Sequence, residues 1–182
     1  PSLRARSLSR EATGVTDDRY AAFLEAKRIT DPMTGIADVP ELPAFLFPHQ
    51  RDITRWALRR GRSAVFAGTG LGKTAIELVW GNAVAEHTGK PVLVFAPLAV
   101  SQQHIREAGK FGIPAKIVRG QADCHPGVNV TNYQKLDHFD LSVFGGIVID
   151  ESSILKSTDG HYRTRLMEEC RGIPFRLGAN AP

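Results

Sequence analysis

The run Ala67-Gly68-Thr69-Gly70-Leu71-Gly72-Lys73-Thr74 has the residue types needed to hold a polyphosphate. Glycines let backbone N–H groups turn inward around phosphate oxygens. A helix opening at the end of the run adds its positive N-terminal pole at the same point. Lys73 is long enough to reach the β- and γ-phosphates of ATP, and the Thr74 hydroxyl can ligate Mg²⁺. An apolar strand-like segment precedes the run and an apolar helix-like one follows, which is the setting a phosphate-binding loop requires. One position departs from the G-x-x-x-x-G-K-[ST] pattern, because Ala67 stands where the first glycine is expected. The plain alternative is a glycine-rich strand-to-helix turn that binds nothing.

A second constellation is Gly146-Ile147-Val148-Ile149-Asp150-Glu151, an apolar strand ending in two adjacent carboxylates 77 residues after Lys73. In a phosphate-loop fold this strand is expected beside the strand that leads into the loop. Asp150 then faces Mg²⁺, directly or through water, and Glu151 can polarise an attacking water. Acid pairs at strand ends are common on surfaces, so the weight lies in the conjunction: each constellation needs the other to hold a metal nucleotide.

Positioning these groups requires a scaffold, and the hydrophobic pattern supplies one. A helix is predicted over 49–60, then a strand over 63–67, a helix over 72–87, a strand over 92–96 and a helix over 99–110. Short strands follow near 115–118, 127–131 and 145–149, then a helix near 161–170 and a strand at 174–178. Short β-branched strands alternating with helices indicate an α/β fold with a mostly parallel sheet. The strands are apolar throughout, as expected when helices cover both faces. Upstream, Asp17 to Ile29 reads as a helix capped by Thr16, with Tyr20, Phe23, Leu24 and Lys27 on one face. Residues 30–48, with five prolines or glycines that include Pro40 and Pro43, read as an extended linker. The chain is thus expected to divide into an N-terminal arm and linker, 1–44, and one lobe, 45–182.

Composition narrows the class. At 182 residues, 42% hydrophobic and 23% charged, the chain can bury a core, and disorder over its length is excluded. No apolar run approaches the roughly 18 residues of a membrane span, and no signal-peptide core opens the chain, so a cytoplasmic location without membrane contact is expected. Cys124 and Cys170 fit neither a disulfide framework nor a paired metal motif, and Cys124-His125 lacks companion ligands. His104 and His161 are expected on the surface. The net charge of +4 permits a nucleic-acid partner without requiring one. The excess lies in residues 1–62, which hold 11 Lys/Arg against 8 Asp/Glu. Lys156 and Arg163 follow the acid pair and could meet phosphates or only water.

Taken together, the A-G-T-G-L-G-K-T loop and the D-E-S-S box resemble motifs I and II of superfamily 2 helicases. Asp150 to Lys156, DESSILK, resembles the Swi/Snf-type branch and its bacteriophage-encoded members in particular. The likeness covers about residues 17–182. It implies a three-layer P-loop NTPase lobe of RecA-like type, with Gly68 to Thr74 binding ATP and Thr74 and Asp150 holding Mg²⁺. Leu46-Phe47-Pro48-His49-Gln50 resembles the adenine-reading motif, which implies that the Gln50 amide contacts the base; a surface amide is the alternative. Pro97, Ser101 and Gln102 resemble motif Ia, and Thr131 and Asn132 motif Ib, implying contacts to a nucleic-acid backbone; a helix cap and loop residues are the alternative. Tyr133 reads equally as core packing or base stacking. Phe175 to Pro182 stands where motif III belongs but lacks its Thr-rich form; Ser152 and Ser153 replace the Ala-Asp or Ala-His pair of other branches, which implies no direct link from motif II to motif III through a charged or imidazole side chain.

The resemblance implies an ATP hydrolase that couples hydrolysis to movement on DNA as a helicase or translocase. The chain starts without methionine and stops at motif III, so a second RecA-like lobe is expected beyond it, and turnover by this lobe alone is expected to be negligible. The alternatives are a P-loop NTPase of another class, such as a small-molecule kinase, and a non-catalytic nucleotide-binding module.

Overall fold

The computed structural model of the chain describes residues 14–26, 33–151 and 160–180. Two compact units separate at Pro32/Met33. The first contains helix α1, Gly14–Ala26. Because α1 starts at Gly14, Thr16 lies within it rather than capping it. Its Tyr20, Phe23 and Leu24 are each more than half exposed, and the Tyr20 and Phe23 rings stack at 6.5 Å.

The second unit contains α2 (Pro48–Arg60), β1 (Arg62–Phe66), α3 (Lys73–Thr88), β2 (Val92–Phe95) and α4 (Leu98–Phe111). These are followed by β3 (Ala115–Ile117), β4 (Val128–Thr131), β5 (Gly146–Ile149), α5 (Gly160–Glu169) and β6 (Phe175–Asn180). Short 3₁₀ turns fill the connections between β3 and β5. Every strand pair is parallel, and the order across the sheet is β1-β6-β5-β2-β4-β3. The expectation that β5 adjoins β1 is therefore corrected, because β6 lies between them. Strand order is decided by crossovers of distant segments, which local patterning does not record.

The strand period of two divides the interior into two cores. Val92, Val94, Val128, Val130 and Val148 face α2, α3 and α4, with Trp80 and Leu78 of α3 fully buried against them. Leu93, Phe95 and Ile147 face the other way, towards Leu136, Phe139, Leu141 and Phe144 of the 3₁₀ turns and Leu166 of α5. Full burial of such side chains stabilises the fold by about 1.5–3 kcal/mol each. Gly146 lets α3 lie close on β5: a Cβ there would come within 2.8 Å of Val84 Cγ1. Coverage of both faces does not extend to β1, whose Arg62, Ala64 and Phe66 are exposed.

The proline-rich stretch before α2 is no free linker. Ile36, Leu42 and Leu46 are buried in the first core. The Gly35 and Ile36 amides donate to the carbonyls of Arg59 and Leu58 at the end of α2. Residues 33–44 thus belong to the lobe, although prolines and small apolar residues there read as a spacer.

Candidate nucleotide site and adjoining groove

In a parallel sheet the carboxyl ends of the strands share one edge, and ligands bind in crevices there. The loop from β1 to α3 lies on that edge. Its turn closes with the Leu71 amide donating to the Gly68 carbonyl at 3.3 Å. Gly72 sits in the left-handed region (φ +74°) and caps α3, its carbonyl accepting from the Ala75 and Ile76 amides. A Cβ there would also lie 2.1 Å from Gln50 Nε2, so glycine is required twice over. The Lys73 ammonium donates to the carbonyls of Ala67 (3.0 Å) and Gly68 (3.5 Å), lying along its own loop.

Gln50 is buried. Its Oε1 accepts from the Phe47 amide at 3.0 Å and its Nε2 donates to the Leu71 carbonyl at 3.1 Å. The amide expected as a base contact is a strut that ties α2 to the glycine-rich loop.

A cavity of about 350 Å³ is lined by Thr69, Gly70, Gly72, Lys73 and Thr74 on one side and by Asp150 and Glu151 on the other. The two constellations separated by 77 residues are thus brought to one space, even though β6 intervenes between their strands. Val100, Gln103, His104 and Glu107 of α4 close its remaining wall.

Beneath this cavity lies a charged cluster that sequence reasoning missed. His104, expected on the surface, is 1% exposed, as is Glu77 of α3. His104 Nδ1 lies 3.1 Å from the Val100 carbonyl, an atom that only accepts, so Nδ1 carries a proton. Its Nε2 lies 3.0 Å from Glu77 Oε2 and 3.7 Å from Asp150 Oδ2. Acceptors on both sides favour the protonated ring. Burial alone would lower its pKa, but the bond to Glu77, the charge of Glu77, the Val100 carbonyl and Asp150 together raise it. The Asp150 carboxyl is pushed up to about 7, first by burial and next by the charge of Glu77, with His104 acting the other way. Two carboxyl groups face one imidazole ring, so the cluster has acid to spare for a further positive charge. The legible signal was Glu77 itself, the only charged residue between Lys73 and Glu86 in a buried apolar helix.

Glu151 has φ +55°, the left-handed conformation that non-glycine residues rarely adopt. The carbonyl of the preceding Asp150 accepts a hydrogen bond from the Tyr133 hydroxyl. The Tyr133 ring stacks on Phe95 at 5.8 Å and packs against the second core. Burial, then the charges of Asp150, Glu77 and Glu151, raises its phenol pKa.

A separate groove of about 410 Å³ gathers Leu98, Ser101 and Gln102 of α4 with Arg119, Thr131, Asn132 and Lys135. Four of the residues picked as backbone contacts therefore share one surface. Two of them are buried and already bonded: Ser101 Oγ donates to the Pro97 carbonyl (3.2 Å) and Thr131 Oγ1 to the Val118 carbonyl (2.9 Å). Pro97 is the N-cap residue of α4, with its carbonyl accepting from the Val100 and Ser101 amides, and does not line the groove. Arg119 and Lys135 are not legible in the sequence, because positive charge on a loop or turn carries no pattern. Lys156, Ser152 and Ser153 lie outside the described residues, as do the side chains of Arg163 and His161 and the last two residues of the motif III segment. Among the described helices, none is long and apolar enough to cross a membrane.

No family model matches the chain, and no match is found among curated proteins. Solved structures do match. The UvsW helicase of bacteriophage T4 superposes over 88% of this chain and 59% of its own, with TM-score 0.62 and 16% identity. The SWI2/SNF2 ATPase core of Sulfolobus solfataricus, solved in complex with dsDNA, superposes over 79% of this chain and 34% of its own, with TM-score 0.62 and 19% identity. The helicase domain of Pyrococcus furiosus Hef gives TM-score 0.55 and 20% identity over 73% of this chain and 31% of its own. The chain has the fold of a helicase-type RecA-like lobe. It spans between 31% and 59% of the length of these three chains.

Proposed function

We propose that the chain is the ATP-binding lobe of a nucleic-acid-dependent ATPase that moves on DNA. The observation that carries this reading is the single cavity where the loop Thr69–Thr74 meets Asp150 and Glu151. Backbone N–H groups of the loop and the N-terminal pole of α3 would receive the phosphates. Lys73 would leave its own loop carbonyls to pair with the β- and γ-phosphates. The donors suit Mg²⁺, since the Thr74 hydroxyl and Asp150 carboxylate are hard oxygens in one cavity and the Glu77–His104–Asp150 cluster has charge to accept a cation. Bound there, Mg²⁺ would neutralise charge on the transferring phosphoryl group. Glu151, on the rim, would orient and polarise the attacking water.

The groove beside the site offers Arg119, Lys135, Gln102 and Asn132 to a phosphate backbone, and it shows no array suited to reading base edges. Two of the matching chains are helicases by their descriptions, and the SWI2/SNF2 core was solved on dsDNA. We read the lobe as half of a two-lobe motor, with an arginine from the second lobe supplying a rate factor of about 10³–10⁵.

Titration with a fluorescent ATP analogue and Mg²⁺ tests the reading. Saturable binding that weakens about tenfold or more in Lys73→Ala supports it. Phosphate transfer to a small acceptor, indifferent to DNA, would favour a kinase instead. Rapid hydrolysis by the 182 residues alone would remove the need for a second lobe.

A further inference from the structure

The groove and the nucleotide cavity are separate, yet two structural elements line both or reach from one to the other. Helix α4 divides by its period. Leu98, Ser101 and Gln102 face the groove, while Val100, Gln103, His104 and Glu107 face the cavity. The chain leaving β4 divides by sequence position: Thr131 and Asn132 line the groove, and Tyr133, the next residue, reaches Asp150.

Each groove wall thus touches the same residue of the site, by a different atom. From α4, the His104 ring stands 3.7 Å from the Asp150 carboxylate and is locked by Glu77 at 3.0 Å and Val100 at 3.1 Å. From the β4 exit, the Tyr133 hydroxyl donates to the Asp150 carbonyl. That carbonyl belongs to the peptide joining Asp150 to Glu151, whose left-handed φ of +55° aims the second acid. A left-handed residue other than glycine persists where its surroundings hold it, and here the Tyr133 bond is one of the restraints.

We propose that His104 and Tyr133 are positioning residues that couple a nucleic-acid backbone in the groove to the Asp150–Glu151 pair in the nucleotide cavity. A ligand that pulls on Gln102 or Asn132 shifts α4 or the β4 exit, and each shift is delivered to Asp150 through one side chain. This coupling rests on the reading of the groove and cavity given above. Binding free energies are reciprocal, so ATP must in turn alter affinity for nucleic acid by the same factor.

The test measures affinity of the chain for mant-ATP with Mg²⁺, alone and with a saturating 20-base-pair duplex. In the unaltered chain the duplex should change the affinity by about fivefold or more, the lower range of typical coupling. Tyr133→Phe keeps the ring on Phe95 and removes one hydrogen bond, and its ratio should fall towards one while circular dichroism and melting show a folded chain. His104→Gln can still donate to one carboxylate and should keep more of the coupling than His104→Ala. A folded Tyr133→Phe chain that retains the full ratio overturns the inference. So does an unaltered chain that binds both ligands with a ratio of one, and that result leaves the proposed function standing. A chain that binds neither ligand removes the functional reading and the coupling with it.

Discussion

The nucleotide cavity and the groove lie on the same edge of the sheet, yet they are built in opposite ways. The cavity depends on main-chain shape: left-handed Gly70 and Gly72, a helix start, and a strand end carrying two acids. Its charged floor is buried and tightly bonded. The groove depends on side chains drawn from α4, the β3 exit and the β4 exit, and two of its hydroxyls are already committed to backbone carbonyls. The contrast teaches that a site made from backbone geometry restricts residue type at each position. A site made from scattered side chains restricts only where they stand.

The largest expected effect lies under the cavity. Glu77→Ala leaves buried His104 without its closest acidic partner and should cost about 3–5 kcal/mol of stability by urea unfolding. Replacing both residues with leucine should recover much of that loss, because two desolvated charges vanish together. If Glu77→Ala proves neutral, the cluster is not the rigid floor described here. Next, Lys73→Ala should weaken ATP binding roughly ten- to a hundredfold, the worth of charge-assisted bonds to phosphate. Duplex affinity should change less than about twofold, since no phosphate neutralised in the groove depends on Lys73. Equal losses at both sites would erase the contrast between them. Gln50→Ala breaks the strut between α2 and the loop, strands the Leu71 carbonyl and the Phe47 amide, and should cost about 1–2 kcal/mol by the same unfolding measurement.

These substitutions also mark what was legible from the sequence. The turn glycines before α3 and the acid pair at the end of β5 were readable as local features because their restraints act on backbone conformation. Strand β6 was placed correctly as a strand, but its insertion between β1 and β5 was not, since crossovers of distant segments decide it. The buried Glu77–His104 pair was missed because an ion pair is a tertiary event, and a histidine in a polar stretch of helix reads as solvated. Ile36, Leu42 and Leu46 were hidden by the prolines around them. In the groove, four of the picked positions share one surface, but the Ser101 and Thr131 hydroxyls turn inward to backbone carbonyls, a tertiary detail with no local pattern.

Smaller effects sharpen the groove side. Replacing Arg119 and Lys135 with alanine should weaken duplex binding a few-fold. It should also flatten the dependence of log affinity on log salt by about 0.9 for each phosphate no longer neutralised. Cys124, five residues beyond Arg119, gives the mildest probe. Burial and then Asp123 raise its thiol pKa, with Lys116 opposing, and alkylation proceeds through the thiolate. Its labelling should therefore be slow at neutral pH and quicken as pH rises past the ordinary thiol range. Cys170, pushed up to about 11 chiefly by burial, should lag behind it throughout.

The central claim is that ATP phosphates seat in the cavity between the glycine loop and the acid pair. Amide hydrogen exchange with and without Mg²⁺ and ATP tests it most directly. The account predicts slowed exchange across residues 69–75 and at the 150–151 turn, lost in Lys73→Ala. Binding of ATP with no protection of those amides, or with protection centred elsewhere on the lobe, would contradict it.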